Sequence, residues 1–233
     1  MHLSTLSTVA VLLSSGAVLV LWLKWRKTMR AEYIRHYGFP PGLFEKLRQK
    51  RPELSTKDCQ LVANALRQFF LAYLNSGCKF VSMPSQVVDD LWHELILYTR
   101  HYALFCDHAF GRFMHHTPAV VLSADKQDNT GLRRCWWYAC KEENINPKLP
   151  TRLPLLFALD SKLNIADGFV YQPNCNALRK DQGGGNGSVY CGGDFSSASF
   201  DGSTEGFGDA SSGDGGDAGG DGGCGGGCGG GGD

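Results

Sequence analysis

The chain has 233 residues, nine cysteines and a formal net charge of zero. An odd cysteine count argues against a closed disulfide framework, and the length gives room for one domain with a real core. The zero charge averages two unlike parts: residues 182–233 hold 23 glycines, eight acidic residues and no Lys or Arg, so the tail carries −8 and the rest +8.

From Leu3 to Leu23 no residue is charged, and Lys24, Arg26, Lys27 and Arg30 follow at once. About 20 helical residues cross a hydrocarbon core of about 30 Å. Trp22 and Trp25 fall where an interfacial aromatic belt is expected. The pattern predicts an uncleaved transmembrane helix, with domain limits of 1–29 for the anchor and its basic flank. Positive charge is retained on the cytoplasmic side. The expected location is therefore a cell membrane, single-pass, with the N-terminus outside and the body cytoplasmic. Basic residues beside the span suit anionic headgroups, so the lipid bilayer is an expected partner, and nothing points to nucleic acid.

The fold class expected after the anchor is all-α, a compact domain of about five helices over 30–181. MRAEYIRHYGF reads as a short helix stopped by Pro40 and Pro41, and LFEKLRQKR follows. Ser55 or Thr56 can cap a longer helix ending at Gly77, with Leu61, Ala65, Leu66, Phe69, Phe70 and Tyr73 at core spacing. One helix is predicted from Pro84–Ser85 to about Phe110. Another spans roughly Thr130 to Glu143, then a short helix or strand lies near Leu155 to Leu159, and a short strand at Phe169 to Tyr171. Residues 182–233 cannot bury enough apolar surface to offset backbone entropy and are expected to be disordered.

The segment Pro84 to Pro118 concentrates the chemistry, with five histidines and three aspartates within 28 residues. On a helical wheel Val88, Leu91, Leu95, Tyr98, Tyr102, Phe105, Cys106 and Ala109 form an apolar stripe. Asp89, His93, Leu97, Arg100 and His101 lie opposite, with Asp90 and His108 beside them. Asp89 and His93 are neighbours at i,i+4. Two readings follow. Asp89, Asp90, His93 and a histidine returned by the turn, His115 or His116, hold a divalent metal such as zinc or iron. Alternatively, Asp89–His93 is a surface pair and the later histidines cap helix ends. No HExxH string is present. Cys106 lies on the apolar stripe and is expected to pack there. Cys135 and Cys140 splay apart on a helix, while Cys224 and Cys228 form a flexible C-x3-C that is half a closed zinc site.

The strings MPSQVVDDLWHELILYTRHYALFC, FGRFMHHTP and LFALDSKLNIADGFVY before a Gly/Cys-rich tail resemble uncharacterised bacterial single-pass membrane proteins with glycine-rich C-termini. The DxxWH element is also similar to the glycine-rich domain-containing protein family, whose second histidine, two residues after the first, is Leu95 here. The resemblance implies a helical domain in a membrane setting and brings no activity or cofactor. The function expected first is a membrane-anchored interaction or scaffolding module with a protein partner. The alternative is a metal-dependent enzyme built on the cluster of residues 89–116.

Overall fold

A computed structural model describes residues 2–116, 130–173 and 190–191. Its helices are α1 (His2–Arg35), α2 (Leu43–Lys50), α3 (Thr56–Asn75), α4 (Gln86–Leu97), α5 (Thr99–Phe110), α6 (Thr130–Glu142) and α7 (Leu155–Lys162). Two short strands, β1 (Tyr171–Gln172) and β2 (Tyr190–Cys191), pair in parallel. The tail from Gln182 otherwise lies outside the described residues, as do Cys224 and Cys228.

The first helix corrects the expected anchor. Among the described residues no helix is long and apolar enough to cross a membrane. The uncharged stretch does not stand alone: α1 runs without a break through Lys24–Arg30 to Arg35. Within it Ser14, Ser15 and Gly16 interrupt the apolar residues and lower the mean hydropathy of the stretch. The expected single-pass topology, with an outside N-terminus and a cytoplasmic body, falls with the span. Trp22, placed in an interfacial belt, instead carries the Arg26 guanidinium 4.7 Å from its ring centre. The last turns of α1 join the body, where Ala31 and Ile34 are buried.

Helix α3 is the axis of the domain and touches α1, α2, α4, α6 and α7. Ser55 caps its start by a reciprocal box with Asp58, and Gly77, at φ 74°, follows its end. Its apolar surface is wider than one stripe: every residue from Gln68 to Leu74 is buried. Around it stack Phe70 and Phe105 at 4.8 Å and Phe69 and Trp92 at 5.1 Å. Trp136 of α6 meets Phe157 of α7 edge-on at 5.0 Å and donates Nε1–H to the Pro147 carbonyl.

The predicted helix from 85 to 110 is two helices. The chain breaks at Tyr98, whose φ and ψ are −80° and 58°. Residues 92 and 102 would be about 15 Å apart along a continuous helix, yet Trp92 Nε1 lies 3.1 Å from the Tyr102 hydroxyl. The break folds α5 back beside α4. The expected core stripe is buried on both sides of it, apart from the half-buried Tyr98.

Candidate metal centre

Helix α4 carries Asp89 and His93, so its N-terminus must be held firmly. All four of its first N–H groups have acceptors. Gln86 and Val87 donate to the Asp160 carboxylate at 2.7 and 3.2 Å, Val88 to Ser85 Oγ at 3.4 Å, and Asp89 to the Ser85 carbonyl at 3.0 Å. The Ser85 hydroxyl donates to Asp160 at 2.6 Å. The Phe169 N–H, nine residues beyond Asp160, also donates to it, at 2.9 Å. This carboxylate is 2 % exposed and sits at the positive end of the α4 dipole.

The second half of the site comes from the segment after α5. Gly111 ends α5 at φ 71°, a conformation that side chains disfavour, and a Cβ there would lie 2.4 Å from Arg30 Nη2. The chain then turns back along α4. Trp92 donates to the Tyr102 hydroxyl, which donates to the Met114 carbonyl at 2.7 Å, pinning the segment in place. Trp92 also packs edge-on to the His116 ring at 4.5 Å.

The outcome is a three-residue cluster. His116 Nε2 donates to Asp89 Oδ1 at 2.9 Å, and His93 Nδ1 lies 3.7 Å from Asp89 Oδ2. The two imidazoles are 4.3 Å apart between ring centres. One ligand atom from each residue falls within 4.8 Å of the others. Around a tetrahedral zinc with bonds of about 2.0–2.1 Å, ligand atoms stand about 3.3 Å apart. The 2.9 and 3.7 Å contacts run to the two different oxygens of Asp89. Asp89 and His116 are mostly buried, with side-chain exposures of 17 and 12 %, and His93 is more open at 43 %. The cluster is therefore most open to solvent on the side of His93.

Of the five candidates from the sequence, Asp89, His93 and His116 come together and Asp90 and His115 do not. Asp90 faces Arg51, whose Nε donates to it at 2.8 Å. His115 is exposed and rests against Phe113, with ring centres 4.8 Å apart. His108 lies on α5 against Tyr33 and donates Nδ1–H to the Leu104 carbonyl at 2.8 Å, and His101 is exposed beside Tyr98. Among the described residues no cysteine joins the cluster: Cys59, Cys106, Cys135 and Cys140 are buried and free, and burial pushes their thiols up, Cys140 to about 12. Sequence reasoning missed Arg51, Tyr102 and Asp160 as supports. Only Tyr102 gave a sign, as a polar-tipped residue on the core stripe.

Arg51 also holds Asp167, with Nη1 and Nη2 at 2.6 and 2.8 Å from its two oxygens. This fork keeps the Asp167 carboxyl below its usual range, chiefly through the Arg51 hydrogen bonds. A depressed carboxyl stabilises the fold above its unfolded pKa of about 3.9, and that contribution disappears as pH falls through the lower folded value. Thermal melts of the wild type and Asp167→Asn should therefore differ at pH 7 and converge below about pH 4. A gap that widens in acid contradicts the pairing.

No curated protein and no solved structure matches the chain. The profile of the UCP032817-like family matches residues 29–195, which takes in the whole described body, both strands and the Asp89–His93–His116 cluster. The match agrees with the expectation of an uncharacterised family and lends no support to the glycine-rich and membrane parts of the earlier resemblance. With well over half its length matched, the chain belongs to the UCP032817-like family.

Proposed function

We propose that this protein is a helical metal-binding module whose centre is Asp89, His93 and His116, with zinc or ferrous iron as the ion. The observation that carries the reading is the convergence of three ligand atoms, from α4 and from the segment after α5, within 4.8 Å of one another. Two neutral imidazoles and a carboxylate are a donor set for zinc or non-haem iron. Three protein ligands with open positions are the arrangement of catalytic rather than closed structural zinc sites. The ion there would act as a Lewis acid or activate water. The support is of the kind metal sites use: Trp92 fixes the His116 ring, and the Trp92–Tyr102–Met114 chain fixes its backbone. A protein-interaction role is compatible with the helical domain but has no comparable cluster behind it.

The test is metal analysis of the purified full-length chain after equilibration with zinc. We expect one ion per chain, lost in both His93→Ala and His116→Ala and kept when Cys224 and Cys228 are both changed to Ser. Saturating zinc at about 100 times Kd should stabilise the wild type by about 2.7 kcal/mol and leave His116→Ala unmoved. Absence of stoichiometric metal, or its loss only in the cysteine variant, overturns the reading.

A further inference from the structure

A pocket lies between the start of α2 and one face of α3. It encloses about 590 Å³. Its apolar walls are Phe39, Pro41 and Phe44, and Gln60, Asn64 and Arg67 line it from α3. Residues 60, 64 and 67 recur at helical spacing, so they share that face.

Arg67 is the unusual member. Its guanidinium lies 4.7 Å from the Phe39 ring centre. Both hydrogen bonds it makes go to neutral acceptors, Nη1 to Asn64 Oδ1 and Nη2 to the Tyr37 carbonyl, each at 2.8 Å. Its Nε is buried with no hydrogen-bond partner among protein atoms. No carboxylate among the described residues pairs with it, in contrast to Arg35, Arg51 and Arg152. Burial pulls the Arg67 guanidinium below its usual range, in the direction expected of a cation that has given up water without gaining a counter-charge.

We infer that this pocket binds a small organic carboxylate with an apolar body, its carboxylate meeting Arg67 and its body lying against Phe39, Pro41 and Phe44. A planar guanidinium matches a carboxylate fork, and the missing counter-ion is what such a ligand supplies. The apolar walls favour an organic ligand over a free inorganic anion. Glu45 on the same rim further disfavours a doubly charged phosphate. The inference is independent of the metal centre, since it shares no residue with it.

Calorimetric titration of the full chain with 3-phenylpropionate and with hexanoate tests it, using 3-phenylpropanamide as the neutral control. We expect saturable 1:1 binding of the acids, and binding at least about tenfold weaker for the amide and for Arg67→Gln. Gln60 is exposed, so Gln60→Glu should keep the wild-type melting temperature while its added negative charge weakens the acids by about threefold or more. If Arg67→Gln fails to fold, the amide control and Gln60→Glu decide. Equal binding of acid and amide overturns the assignment. So does tighter binding of inorganic phosphate, or no saturable binding of either acid below about 10 mM.

Discussion

Asp160→Ala is expected to lower stability by about 3–5 kcal/mol, since it strips acceptors from three backbone N–H groups and one hydroxyl in a buried site. Those donors belong to Ser85, Gln86, Val87 and Phe169. For a chain of this size the melting temperature should fall by roughly 10 °C. Asp160→Asn keeps an oxygen and most of the volume and should fall by less. The loss would be felt at the metal centre too, because the first turn of α4 carries Asp89. A melting temperature unchanged in Asp160→Ala would mean that α4 does not depend on this cap.

Trp92→Ala is the second large effect. The indole is 3 % exposed and packs on Phe69, Phe70 and His116. Removing it should cost about 3–5 kcal/mol through the cavity it leaves. It also releases the Tyr102 hydroxyl and, through it, the Met114 segment. Trp92→Phe restores much of the packing without the N–H donor. It should therefore recover most of the stability while binding zinc about 10–100-fold more weakly, the range seen when outer-shell partners of a metal are lost. Equal zinc affinity in Trp92→Phe and wild type would show that the indole only fills space. Chemical denaturation with and without zinc reads both quantities.

Elements with local signals were legible in the amino-acid sequence. Helix α3 starts at the Ser55–Asp58 box and stops before Gly77, both short-range devices. Helices α2, α6 and α7 lie within a residue or a turn of their expected places. The membrane span was misjudged because an uncharged run was read as an apolar one, although Ser14, Ser15 and Gly16 dilute it. Lys and Arg are good helix formers, and nothing between Leu23 and Arg35 stops the helix. The break at Tyr98 left no local trace, since tyrosine is no helix breaker. Its hydroxyl donates to the Pro41 carbonyl at 3.3 Å and its ring takes Lys46 at 4.8 Å, so tertiary contacts accompany the bend. The candidate site was legible in the same proportion. Asp89 and His93 follow from i,i+4 spacing, but His116 joins them only because of the break at Tyr98 and the turn at Gly111. Asp90 could not be removed from the set without seeing Arg51.

The most direct test of the metal centre is zinc-edge X-ray absorption on the full-length chain loaded with one equivalent of zinc. The account predicts a first shell of nitrogen and oxygen at about 2.0–2.1 Å, with the outer scattering of two imidazole rings. His116→Ala should lose one of those rings. A sulfur shell at about 2.3 Å would place the ion on cysteines instead and contradict the Asp89–His93–His116 centre.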